Sequence, residues 1–168
     1  METKLYSIKQ SNEVDNSLIK FVARDDEEIR KDLEYLVNSF KDAKEYGSIL
    51  NLRKVNFENL NKAVKYIIDN LDGDLISLNQ REQVIDKVLP LINQAIAMTN
   101  KYDIVVTNPP YLNSSRMSEK LSKYVNDNFP KTKSDFSMIF YEKAINDYCK
   151  RMDIYRLLQQ LHGCFKEF

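Results

Sequence analysis

The sequence predicts an α/β fold that is mainly helical in these residues, with few strands. Three observations predict it. Apolar residues recur at steps of three and four over most of the chain between Asp25 and Lys150, the period of a helix with one buried face. One short run, Tyr102-Asp103-Ile104-Val105-Val106-Thr107, breaks that period with β-branched residues and stops at Asn108-Pro109-Pro110. A buried parallel strand ends this way, at residues that cannot continue the ladder. A single strong strand among helices reads as part of a sheet rather than a whole one.

Residues 1–24 are weakly patterned, with a short strand expected near Lys4–Lys9. From Asp25 a helix is expected, with Ile29, Leu33, Leu36, Val37 and Phe40 on its apolar side. Asp25, Asp26, Glu27 and Glu28 crowd its first turn, where carboxylates favour the positive end of the helix dipole. Tyr46-Gly47-Ser48-Ile49-Leu50 reads as a helix stop followed by a short extended piece. A second helix should open at Asn56, bury Phe57, Leu60, Val64, Ile67 and Leu71, and end near Asp72-Gly73. A third should run from about Asn79 to Thr99 with Val84, Val88, Leu91, Ile92, Ala95 and Ile96 inward. Pro90 should kink or interrupt it, because proline lacks the N–H and clashes with the preceding turn. After the strand come helices at about 117–128, with Leu121, Tyr124 and Val125 inward, and at about 134–150, capped by Ser134 or Asp135. The last buries Phe136, Ile139, Phe140 and Ile145.

The chain has 168 residues, enough for one domain with a real core. It is 43% apolar and 30% charged, with Lys+Arg and Asp+Glu equal at 25 each. That balance argues against a dedicated electrostatic nucleic-acid binder, though not against DNA as a substrate. Cys149 and Cys164 are the two cysteines and form no CxxC, so neither a disulfide nor a metal site is expected and a reducing cytoplasm fits. No apolar leader opens the chain, and no stretch approaches the roughly 20 apolar residues that span a bilayer. A cytoplasmic protein without a membrane partner is therefore expected.

The chemistry lies in Asn108-Pro109-Pro110-Tyr111. A strand delivers a side-chain amide to the carboxyl end of a sheet, where α/β folds keep their ligand sites. Two prolines then hold the backbone, so that the Asn108 amide oxygen and the Pro109 carbonyl form a fixed pair of acceptors. An exocyclic amino group needs two acceptors for its two protons. Tyr111 offers a face on which a flipped-out base can stack. Four residues alone can also be a plain strand-terminating turn.

The segment resembles motif IV of the amino methyltransferases, (Asn/Asp/Ser)-Pro-Pro-(Tyr/Phe/Trp), and with Asn first and Tyr last it is similar to the adenine-N6 DNA branch. Phe40-Lys41-Asp42-Ala43-Lys44-Glu45-Tyr46-Gly47-Ser48-Ile49 upstream and Lys133-Ser134-Asp135-Phe136-Ser137-Met138-Ile139-Phe140 downstream resemble the PglX-type methyltransferases of BREX phage-defence systems, over roughly residues 15–150. The resemblance implies a partial Rossmann-like, S-adenosylmethionine-dependent methyltransferase domain. It implies methyl transfer from S-adenosylmethionine to N6 of adenine in duplex DNA, with Asn108, Pro109, Pro110 and Tyr111 as catalytic residues. Duplex DNA and other defence-system proteins are the implied partners, in phage defence or restriction–modification.

Such enzymes hold the methyl donor on a Gly-rich turn whose glycines admit a close backbone approach. This chain has three glycines, Gly47, Gly73 and Gly163, no two of them close. The expectation is a fragment, inactive alone, in which residues 1–151 are part of a catalytic domain. Residues 152–168 form an atypical tail from a shifted reading frame, or a short native helix with Ile154, Leu157, Leu158 and Leu161 apolar. Two other readings stay open: a methyltransferase acting on RNA or protein amino groups, and a non-enzymatic remnant or binding module. Weaker DNA-contact candidates are Arg116, Lys120 and Lys123, and the Lys133-Ser134-Asp135 segment, which can equally be a solvated face and a helix cap.

Overall fold

Asp15, Asp26, Asn56, Ser118 and Asp135 each start a helix by accepting a backbone N–H with the side chain. The computed structural model describes residues 5–70, 75–109 and 114–150, in two units, Met1–Thr99 and Asn100–Phe168. Lys4, Leu71, Asp72-Gly73, Pro110, Tyr111 and the 152–168 tail lie outside the described residues.

In the first unit, α1 (Asn16–Ala23) opens at Asp15, whose carboxylate accepts from the Leu18 N–H at 2.8 Å and the Ser17 hydroxyl at 2.7 Å. Sequence periodicity missed this helix. Eight residues are too few to establish a period, yet Leu18, Ile19, Val22 and Ala23 are all buried. The strand expected near Lys4–Lys9 is not formed. Residues 5–9 have no regular structure, and the Lys9 N–H donates to the Gln94 side-chain oxygen at 2.9 Å instead of to a neighbouring strand.

The helix expected from Asp25 is α2 (Glu27–Ser39). Asp26 caps it, accepting from the N–H groups of Glu28 and Ile29 at 2.9 and 3.0 Å. Leu33, Leu36 and Phe40 are buried as the period requires. Asp42, at φ 57°, then turns the chain into α3 (Ala43–Tyr46). Gly47 has φ 60°, a conformation that suits glycine. The extended piece expected right after it is instead a 3₁₀ turn, Gly47–Ile49, because that tight turn carries Ile49 fully into the core.

Asn56 opens α4 (Phe57–Asn70) as expected, accepting from the Asn59 N–H at 3.1 Å. Leu60, Val64 and Ile67 are buried. The next helical run is longer than its apolar pattern: α5 (Leu75–Gln83), a π turn (Val84–Val88) and α6 (Leu89–Thr99) follow without a break. Pro90 does not interrupt it. The widened π turn just before Pro90 is where the regular ladder yields, the usual accommodation of a proline inside a helix. Val84, Val88, Leu91, Ile92 and Ala95 are buried as expected. Helices α1, α2, α4 and α6 pack on one another around this core.

The second unit contains α7 (Glu119–Asn128) and α8 (Phe136–Lys143), the latter continued by a π turn, Ala144–Tyr148. Ser118 caps α7, accepting from the Leu121 N–H at 3.2 Å. Asp135, rather than Ser134, caps α8: its carboxylate accepts from the Ser137 N–H at 2.9 Å and the Ser137 hydroxyl at 2.6 Å. Asp135→Ala is expected to cost about 0.5–2 kcal/mol. A thermal melt followed by circular dichroism measures this, and an unchanged melt would mean that packing alone holds α8.

The strand expected at 102–107 is corrected. Among the described residues there is no strand, only an isolated parallel bridge between Tyr102 and Cys149. The Tyr102 N–H donates to the Tyr148 carbonyl at 2.7 Å, and the Lys150 N–H donates to the Tyr102 carbonyl at 3.0 Å. Beyond that bridge no described segment runs alongside, and a strand exists only through a partner. Ile104 is 73% and Val106 90% exposed, while Val105 packs on Ala144 and Cys149. The mainly helical character is seen, but the α/β sheet is not formed within these residues. No helix among the described residues is long and apolar enough to cross a membrane.

Candidate functional site

The Asn108 loop hangs from a segment that is anchored at one end. The Tyr102 bridge ties its start to the end of the α8 helical run, and Val105 enters a small apolar cluster with Ala144, Cys149, Tyr141 and Ile145. The Lys150 ammonium pairs with Asp103 at 2.9 Å. From there the chain runs without helical structure to Asn108, which is exposed, and to Pro109, which is buried. A buried proline beside an exposed amide is a rigid mount for a side chain that reaches outward. Pro110 and Tyr111 lie outside the described residues, so the stacking face expected from Tyr111 has no geometry to report.

Beneath this anchor the structure reveals a group that periodicity did not flag. Lys143 is buried at 4% side-chain exposure, pairs with Asp147 at 2.7 Å, and lies 5.6 Å from the centroid of the Tyr148 ring. Burial holds its ammonium below the ordinary lysine range, against the opposing hydrogen bond and charge of Asp147. The Tyr148 hydroxyl is pushed above its ordinary range by burial first and by the Asp147 charge second. The signal in the sequence was a Lys and an Asp four apart on an otherwise apolar helical run, a spacing that pairs charges. Tyr148 is also the residue whose carbonyl receives the Tyr102 N–H, so this group braces the segment that leads to Asn108.

The other candidates separate. Arg116, Lys120 and Lys123 are exposed around the start of α7. Of the Lys133-Ser134-Asp135 segment, Asp135 serves the helix cap, while Lys133 and Ser134 line a cleft of about 240 Å³ with Met117, Ser122, Val125 and Asn126. Among the described residues no cluster of His, Cys, Asp and Glu could hold a metal ion.

Among the described residues there is no Gly-rich turn of the kind expected to cradle S-adenosylmethionine. Gly47 is the only glycine among the described residues, and a Cβ added there would meet nothing within 4 Å. Gly47, at φ 60°, serves the turn. We expect the isolated chain to show no micromolar affinity for S-adenosylmethionine by calorimetry. A saturable isotherm in that range would mean that other residues of this chain form the donor site.

Comparison with known proteins bears on the whole arrangement. The model of the Eco57I restriction-modification methylase family matches residues 22–155, which include the Asn108 loop and its anchors. The chain belongs to that family. It is similar to the adenine-specific methyltransferase PglX of Lacticaseibacillus casei (strain Zhang), at 28% identity over 135 residues, 79% of this chain and 11% of that protein. It is also similar to the adenine-specific methyltransferase BrxX of Escherichia coli O9:H4 (strain HS), at 29% identity over 112 residues, 64% of this chain and 9% of that protein. The expected resemblance to PglX-type methyltransferases is thus borne out. This Eco57I-family chain spans about a tenth of the length of the curated relatives it matches.

Proposed function

We propose that this chain supplies the amino-group-binding half of an adenine-specific DNA methyltransferase. The observation that carries the reading is the exposed Asn108 beside the buried Pro109, at the end of a segment anchored by the Tyr102 bridge and Val105. In this reading the Asn108 amide oxygen and the Pro109 carbonyl accept the two protons of the adenine N6 amino group. That pairing fixes the amine and directs its lone pair outward. Tyr111 stacks on the extruded base, a contact every base can make through its π-face.

S-adenosylmethionine supplies the methyl group in such enzymes. The described residues include no Gly-rich turn, so in this reading it is held by residues outside this chain, and the isolated chain is inactive. The 102–107 segment is then one strand of a Rossmann-like sheet whose neighbours also lie elsewhere. The setting is phage defence or restriction–modification in the cytoplasm, with duplex DNA as substrate and defence-system proteins as further partners. The names of the PglX and BrxX relatives support adenine over an amino group of a protein, and the restriction-modification description of the family supports DNA.

The test is a chimera in which residues 22–155 replace the matched segment of the Lacticaseibacillus casei relative. N6-methyladenine in its DNA substrate is quantified by mass spectrometry, with RNA and protein substrates alongside. Methylation of DNA adenine is the expected result. Methylation of RNA or protein alone would overturn the substrate assignment.

A further inference from the structure

The cleft between α7 and the turn before α8 is not used by the amino-group site. Its lining is Met117, Ser122, Val125, Asn126, Lys133 and Ser134, around about 240 Å³. The apolar part of the lining is Met117 and Val125, the latter at 1% exposure. The polar part is Ser122, Asn126, Lys133 and Ser134, and no carboxylate is among the described lining residues. The neighbouring acid, Asp135, is turned away onto the first turn of α8, where Ser137 donates to it.

The ammonium is available. Lys143 is committed to Asp147 and Lys150 to Asp103, and Lys101 donates to the Asn146 carbonyl. Lys133 has no ion pair or hydrogen bond among the described residues. Its backbone is nevertheless held. The Thr132 N–H donates to the Phe129 carbonyl at 3.2 Å, the Asp135 N–H donates to the Thr132 carbonyl at 3.2 Å, and the Thr132 hydroxyl donates to Glu142 at 2.5 Å. An unneutralised cation on a fixed turn, in a cleft that it shares with hydroxyl-bearing and apolar residues, suits one sugar–phosphate unit: an ammonium and hydroxyls can meet the anion, and apolar side chains can meet sugar carbons.

We propose that the Met117–Val125–Lys133–Ser134 cleft binds one backbone phosphodiester of the nucleic-acid strand that carries the target adenine, with Lys133 as its ion-pair partner. This rests on the reading of the Asn108 loop as an adenine site, and it adds a base-independent anchor in the same unit. Phosphate contacts of this kind set register without reading sequence. Each one also releases condensed counterions, so it leaves a countable mark on the salt dependence of binding.

The experiment titrates the full 168-residue chain with two fluorescein-labelled short single strands. One contains a single adenine, and the other has an abasic site in its place. Binding is measured by anisotropy between about 50 and 200 mM salt. Lys133→Gln should lower the slope of log K against log salt by about 0.7, the value for one single-strand phosphate, equally for both strands. Lys133→Arg should restore the slope. Lys65→Gln, at an exposed position in the first unit, should leave it as in the wild type. Lys133 is exposed, so the fold survives its replacement. An unchanged slope in Lys133→Gln, or no binding of either strand, would overturn the cleft assignment. A slope change with no preference for the adenine strand leaves the cleft standing and counts against the Asn108 site instead.

Discussion

Asn108→Ala in the chimeric methyltransferase lowers the rate of adenine methylation by about 10²-fold or more, judged by the loss of one preorganised polar group in other active sites. In the proposed reading, alanine removes the side-chain oxygen that accepts one proton of the amino group, and leaves the Pro109 carbonyl to hold the amine alone. The loss should fall on kcat rather than KM, because orientation of the amine matters most as the new bond forms. Asn108→Asp keeps an acceptor oxygen and should lose less. Tyr111→Ala should instead weaken binding of the base by about 1–3 kcal/mol, the worth of one stacked base. Steady-state rates on a duplex with one target adenine check all three. An Asn108→Ala chimera that kept most of its activity would show that the amide does not hold the amino group.

The second large effect is structural. Phe40→Ala is expected to destabilise the first unit by about 3–5 kcal/mol, the usual cost of truncating a buried phenylalanine. Phe40 is 0% exposed and ends α2, where its N–H donates to the Leu36 carbonyl at 2.9 Å. Its carbonyl accepts from Ser11 at 3.2 Å and from Ala43 at 3.1 Å, while the Ser11 hydroxyl donates to the Val37 carbonyl. One residue therefore joins the segment before α1, the end of α2 and the start of α3. A cavity there loosens three elements at once. The loss is a large fraction of the roughly 5–15 kcal/mol that holds a typical domain together. Chemical denaturation of the full chain measures it, and Phe40→Leu should cost less because it refills part of the space. A midpoint unchanged by Phe40→Ala would mean that the first unit is not organised around this side chain.

Much of the fold could be read locally. The acidic start and apolar period of α2, the Asn56 opening of α4, and the helices after the loop all appear where spacing and capping residues put them. Each is a property of about a dozen neighbouring residues, and a helix satisfies its own backbone. Helix α1 escaped notice because eight residues hold too few apolar positions to define a period. The run through Pro90 looked breakable because local rules do not include the π turn that absorbs the proline.

The Asn108-Pro109-Pro110-Tyr111 motif was visible in the sequence as an order of four side chains, and its role is a proposal. What flanks it was not visible there. The β-branched run 102–107 carries strand propensity, but a strand needs a partner, and among the described residues only Tyr102 finds one, at Cys149. The pairing of Lys143 with Asp147 is local, four residues apart, but the depth of its burial and the cleft lined by α7 and Lys133 arise where separate segments meet. The sequence by itself determined most of the helices, because hydrogen bonds and dihedral limits act over a few residues. Only the tertiary structure decided how deeply Lys143 is buried and whether the extended run is paired, because both depend on desolvation and on partners brought together by packing.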